Sequence, residues 1–128
     1  MSANKDLVDK MVLAYNTMNA DALTPLLHAG AKHSAPGSDF GADLIGSDKI
    51  VEYFRKNVFP AFHAVRFEVV HQFEDPAKSA VIVEWRSHLH PKTGKNYSNT
   101  GAFVIEIRDH RIYWVREYFD TEKAHANV

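Results

Sequence analysis

The chain has 128 residues, a formal net charge of −1 and no cysteine. That length fits one domain, residues 1–128. Without cysteine there is neither a disulfide framework nor a thiolate metal site, and without a basic run nucleic acid and anionic membranes have no electrostatic footprint. No apolar run is long enough to span a bilayer, and the first six residues lack the apolar core of a signal peptide, so the expected location is cytoplasmic.

Residues 4–18 read as an amphipathic helix. Leu7, Val8, Met11, Val12, Tyr15 and Met18 share one stripe at helical spacing, and Asn4 is the expected N-cap. Asn19-Ala20-Asp21 caps a second, short helix that runs through Leu27 and ends at Gly30. Pro36-Gly37-Ser38-Asp39 and Gly41 are turn formers and predict a short hairpin, Lys32–Ala35 with Ala42–Ile45. Ser47 reads as the N-cap of a third helix with Asp48 in its first turn. Ile50, Val51, Phe54 and Val58 form its buried stripe, and Pro60 stops it.

From there the chain is strand after strand. Val65–Phe73 alternates Val65, Phe67, Val69, His71 and Phe73 against Arg66, Glu68, Val70 and Gln72. Ala80–His90 puts Val81, Val83, Trp85, Ser87 and Leu89 on one face, and Tyr97–Arg108 sets Phe103, Ile105 and Ile107 opposite Val104, Glu106 and Arg108. Asp109-His110 is a tight turn into the last strand, residues 111–121. Unbroken alternation there places Tyr113, Val115, Glu117 and Phe119 on one face and Ile112, Trp114, Arg116 and Tyr118 on the other. Helices first and an antiparallel meander after them make an α+β fold, a strongly bent sheet with helices on one side. The outer face, with Glu84, Arg86, Glu106, Arg108 and Arg116 among Ile82, Trp114 and Tyr118, suits an oligomer interface.

Two stretches, Gly46-Ser47-Asp48-Lys49-Ile50-Val51-Glu52-Tyr53-Phe54 and the run from Asp109 to Asp120, resemble the SnoaL-like branch of the nuclear-transport-factor-2-like superfamily. The resemblance covers nearly the whole chain. It implies a cone-shaped curved antiparallel sheet wrapped around an N-terminal helical layer, a pocket inside and a homodimer. It does not imply one reaction, because a fold hosts many chemistries. The last strand is similar to that of limonene epoxide hydrolase and of the phenazine-biosynthesis A/B proteins, and in both comparisons the family's acid falls on Glu117. Asn57-Val58-Phe59-Pro60 and the Tyr97–Ile107 strand also resemble the phenazine group. The hydrolase's second acid and arginine would fall on Trp85 and Ser87, so that machinery is not reproduced, and Arg86 should point the other way. Tyr15 matches the oxyanion tyrosine of ketosteroid isomerase, whose base and second acid would fall on Ala35 and Phe103. The late acid of the SnoaL cyclases would fall on Asp120, which alternation turns outward.

Glu117 is the leading candidate. A carboxyl in an apolar row, if desolvated, titrates near neutrality and can carry a proton both ways. Tyr15 would donate to a substrate oxygen, and His33 or His71 would partner the acid. Phe54, Phe62, Trp85, Ser87, Asn99, Phe103, Tyr113 and Phe119 are the expected pocket wall, suited to a flat apolar or aromatic ligand. His88 and His90 share a strand face, but no third ligand has metal spacing. His28, His63, His110 and His125 sit at turns or an end. The expectation is a homodimer with a small-molecule ligand, needing no cofactor and no metal. It works as an isomerase, dehydratase, cyclase or hydrolase, or as a non-catalytic binder of the same fold.

Overall fold

The computed structural model describes residues 2–38 and 43–127. Helix α1 spans Ala3–Asn16 and buries Val8, Met11, Val12, Ala14 and Tyr15. Its N-cap is Ser2, whose hydroxyl accepts from the Lys5 amide; Asn4 lies inside the first turn and donates from Nδ2 to Ser79 Oγ at 3.4 Å. A 3₁₀ segment, Ala20–Leu26, follows with Asn19 as its cap. Pro25 sits inside it, where the tighter helix leaves fewer amides to satisfy. Strand β1, Leu27–Ser34, begins at once. Gly30 therefore lies within a strand and does not end a helix.

β1 pairs antiparallel with the two-residue β2, Leu44–Ile45, through Lys32–Ile45 and His33–Leu44. This is the expected hairpin, apart from Ala42, which lies outside the described residues. Helix α2 spans Ser47–Tyr53. Gly46 holds the cap position at φ 104°, a left-handed backbone that glycine adopts without strain. Ser47 is therefore the first helical residue and not the cap. A wider π turn over Phe54–Val58 and a 3₁₀ turn over Phe59–Ala61 prolong α2 and carry Phe54 and Phe59 into the interior.

Strands β3 (Phe62–Asp75), β4 (Ala80–Pro91), β5 (Tyr97–Arg108) and β6 (Arg111–Phe119) complete a six-stranded sheet in the order β2-β1-β6-β5-β4-β3. β1 returns parallel to β6; all other neighbours are antiparallel. The sheet curls without closing, and the helices fill its concave side. Phe103, Ile105, Ile107, Val115, Val81 and Val83 pack there against Met11, Val8, Leu23 and Ile50. Asp109 and His110 turn β5 into β6 with φ of 51° and 60°, the two positive values that a two-residue hairpin loop requires.

Two bulges break the period of two. In β3, Val69 faces Trp85 and His71 faces Glu84, so Val70 has no partner. In β6, Ile112 faces Ile107 and Trp114 faces Glu106, so Tyr113 has none. An extra residue reverses which side chains point inward beyond it. Ile112 is fully buried as a result, although unbroken alternation assigns it to the outer face. The chain also ends differently from expectation. β6 stops at Phe119, and Asp120 caps a final helix α3, Thr121–Ala126, by accepting from the Lys123 amide at 3.0 Å.

One polar clamp joins the layers. Asn16 accepts from the Phe67 amide at 2.7 Å and donates to the Phe67 carbonyl at 3.2 Å. It ties the last turn of α1 to β3 and so fixes the neighbouring Tyr15 against Phe67. Asn16→Ala leaves both backbone groups short of a partner. Urea denaturation should show a loss of roughly 1–3 kcal/mol.

Candidate active site

The cone holds a cavity of about 290 Å³, at the small end of the range for ligand sites. Each face of the fold contributes to it. α1 supplies Tyr15, the α2 extension supplies Phe54, Val58 and Phe59, and α3 supplies Ala124. β4 and β5 supply Trp85, Ser87, Asn99 and Phe103, and β6 supplies Glu117 and Phe119.

The aromatic rings pack on one another as well as on the cavity. Tyr15 stacks on Phe54 at 5.1 Å between centroids and meets Phe103 edge-on at 5.7 Å. Phe67 meets Trp85 edge-on at 4.9 Å. Gly101 makes this packing possible. A Cβ there would lie 2.6 and 2.7 Å from two indole carbons of Trp85 and would also strike the Tyr118 carbonyl. Glycine in the strand lets the indole lie across the β5 backbone.

Glu117 is the one carboxylate among the described residues that line the cavity. It sits opposite Phe103 in the β5–β6 ladder. Protein surrounds its carboxyl, and the residue as a whole is half-buried by area and lines the cavity. No hydrogen bond or ion pair reaches its carboxyl from the described residues. Burial alone pushes its pKa from 4.5 up to about 7, because a carboxylate loses more than a neutral acid when water is removed. The Tyr15 hydroxyl is held well above its usual range, first by burial and then by the charge of Glu117, so it remains a proton donor. His33 is pushed down to about 4 by burial, stays neutral, and stands edge-on to Phe54 at 5.4 Å.

Of the sequence candidates, Glu117, Tyr15, His33, Phe54, Phe62, Trp85, Ser87, Asn99, Phe103 and Phe119 all border the cavity. Two do not. His71 lies beyond the β3 bulge on the outer face, where its Nδ1 is 2.7 Å from Glu84 Oε1. It cannot partner Glu117. Tyr113 is the bulged residue of β6. Its ring packs under the Arg108 guanidinium, 3.8 Å from the centroid, and beside His28 at 5.3 Å, away from the cavity.

Asn99 borders the cavity, but its amide is committed to backbone. Nδ2 donates to the Asp120 carbonyl at 3.1 Å and Oδ1 accepts from the Thr100 amide at 2.8 Å. Its role is to hold the entry to α3. His88 bonds Glu68 and Ser98 on the outer face, while His90 packs against His63. No group of three or more His, Asp or Glu among the described residues is arranged to hold a metal. The sequence reading did not include Phe59, Phe67, Tyr97 or Ala124 in the wall. Phe67 was legible as the inward neighbour of Val65, whereas Ala124 depends on α3.

The raised pKa of Glu117 has a stability consequence of definite sign. Between pH 4.5 and about 7 the folded chain binds more protons at this group than the unfolded chain does. Its contribution to stability therefore falls as pH rises across that window and is flat above it. Glu117→Gln removes the penalty. The variant should melt higher than the parent at pH 8, by roughly 3 kcal/mol at most, and match it near pH 4. Thermal denaturation at the two pH values measures the difference.

Comparison with known proteins agrees with the architecture. A family model described as a SnoaL-like domain matches residues 8–115. No curated protein matches the chain. Among solved structures, an NTF2-like protein of unknown function from Burkholderia pseudomallei superposes with a TM-score of 0.86 at 16% identity, over 98% of this chain and 97% of that one. TerC, co-crystallised with polyporic acid, gives 0.83 at 16% identity over 98% and 97%. An LEH-like epoxide hydrolase from M. tuberculosis gives 0.77 at 19% identity over 97% and 87%. These likenesses are of fold, the α+β cone of NTF2-like proteins. With the family model spanning most of its length, the chain belongs to the SnoaL-like domain family.

Proposed function

We propose that the chain is a small-molecule enzyme in which Glu117 moves a proton on a small, largely apolar or aromatic substrate. One observation carries this reading: an enclosed carboxyl without a partner among the described residues faces an apolar cavity of ligand size. An acid that titrates near neutrality is present in both protonation states at working pH, which general acid–base catalysis requires. The Tyr15 O–H would donate to oxygen on the substrate as charge develops there. Neutral His33 would orient the substrate from β1. The reaction class is an isomerisation, dehydration, cyclisation or hydrolysis, and the chain's own residues supply its acid–base chemistry. That TerC, a fold neighbour, was co-crystallised with polyporic acid, and that another neighbour is an LEH-like epoxide hydrolase, is consistent with small-molecule chemistry in this fold.

A substrate panel for those four classes tests the reading. Any accepted substrate should show a single ionisation near pH 7 in kcat/KM, and Glu117→Gln should lower turnover at least about 100-fold and remove the ionisation. Equal turnover by parent and variant removes Glu117 from the mechanism. The second reading is ligand binding without catalysis, favoured by Trp85 and Ser87 standing where a second acid and an arginine would assist. A compound that raises the melting temperature strongly and is recovered unchanged supports it.

We also propose that two copies pair through the outer sheet face. Val70, Phe73, Ile82 and Tyr118 line one groove there, and Phe73, Ile82 and Tyr118 are each more than 40% exposed. An apolar strip of this kind, bordered by Glu84 and Arg86, has the make-up of an interface core with a charged rim. Light scattering should report twice the 14.5 kDa of one chain. Phe73→Glu should shift the species to a monomer, and a parent that is monomeric at high concentration contradicts the pairing.

A further inference from the structure

Among the described residues, three buried polar side-chain atoms have no hydrogen-bond partner: Trp85 Nε1, Ser87 Oγ and His33 Nε2. All three belong to residues that line the Glu117 cavity. Trp85 and Ser87 are 3% and 1% exposed, and His33 is 9% exposed. Buried polar groups in folded proteins are paired in the great majority, since each orphan carries the full cost of lost hydration. Three in the wall of one small cavity are a reason to look for a partner supplied from outside the chain.

The donor inventory narrows that partner. An indole N–H can only donate, so whatever satisfies Trp85 carries an acceptor. Ser87 can donate to the same group. The two residues lie two apart on the inner face of β4, with Cα atoms roughly 7 Å apart, so both side chains meet the cavity from one strand face. No lysine or arginine is among the described residues that line the cavity, and its one acid is Glu117. A carboxylate or phosphate would meet no cation and would be repelled. An ammonium would pair with Glu117 but would leave the Trp85 N–H orphaned. An uncharged ligand with an acceptor oxygen leaves neither conflict.

We propose that the cavity is built for a small uncharged ring compound bearing a carbonyl-type oxygen, and that Trp85 and Ser87 bind this oxygen. The inference rests on the cavity being the substrate site of the proposed enzyme and names the class of substrate. Trp85 and Ser87 are then specificity residues on β4, while Glu117 on β6 meets the ring or its substituent.

A matched set of probes tests it: acetophenone, ethylbenzene, 1-phenylethylamine and benzoate, titrated into the intact protein by calorimetry. Acetophenone should bind at least tenfold more tightly than ethylbenzene, and benzoate should not bind measurably. Trp85→Phe and Ser87→Ala should each cut the advantage of the ketone severalfold and leave ethylbenzene unchanged. Removing an orphaned polar atom should also leave the ligand-free melting temperature of Ser87→Ala no lower than that of the parent. If Trp85→Phe does not fold, Ser87→Ala carries the comparison. A ketone that binds no better than the hydrocarbon, as when only water meets these atoms, overturns the inference. So does tightest binding of the amine or of benzoate, or a ketone preference that survives both substitutions. Glu117→Gln separates this inference from the proposed chemistry. The ketone preference should persist in that variant; its persistence without any Glu117-dependent turnover supports the inference and removes only the proton-transfer role.

Discussion

Holding Glu117 out of water without a counter-charge is the constraint from which the rest of the site follows. A carboxylate inside protein is costly unless it is paired, and a group left unpaired shifts its pKa instead. Here the described wall offers it no lysine or arginine: rings and methyl groups make up most of it, and its polar groups, the Tyr15 and Ser87 hydroxyls among them, carry no charge. The acid therefore retains its proton to near neutrality. An acid of this kind weakens the fold when it ionises. That is a cost a chain carries at a functional site more readily than in a structural core.

The fold is arranged so that elements distant in sequence meet at this one group. β6 lies between β5 and β1, which puts Phe103 on one side of Glu117 and the His33–Ser34 end of β1 on the other. α1 crosses the concave face and is fastened to β3 by Asn16, so Tyr15 arrives with its ring wedged between Phe54 and Phe103. α3 then adds the buried Ala124 to the cavity wall. The same sheet that encloses the cavity turns an apolar strip outward, so site and outer surface share strands. Trp85 borders both, and Gly101 is the position that allows it.

Much of this was legible in the residues because β4 and β5 keep strict alternation. Val81, Val83, Trp85 and Ser87 point inward without interruption, and so do Phe103, Ile105 and Ile107. Alternation along the last strand put Glu117 on the inner face with Val115 and Phe119, and the likeness of that strand to known families pointed to the same residue. What was not legible were the bulges at Val70 and Tyr113. A bulge is a property of a strand pair, and neither residue differs in kind from its neighbours. Assuming unbroken alternation turned His71 inward and exchanged Tyr113 with Ile112. The Asn16 clamp was hidden for the same reason, since its partner lies 51 residues away. α3 did leave a local signal. Asp120-Thr121-Glu122 is an N-cap followed by an acid in the first turn, overlooked because the aromatic run before it reads as strand to its end. Gly101 left one too: a glycine inside a strand marks close approach of another group.

The central claim concerns the charge on one side chain, so the most direct test reads that charge in the ligand-free protein. A carbon-13 NMR pH titration of the Glu117 side-chain carboxyl, assigned by comparison with Glu117→Gln, follows its ionisation without a substrate. Burial should set the midpoint near 7. A midpoint at 4.5, the value of a carboxyl in water, or below it, as beside a cation, would contradict it.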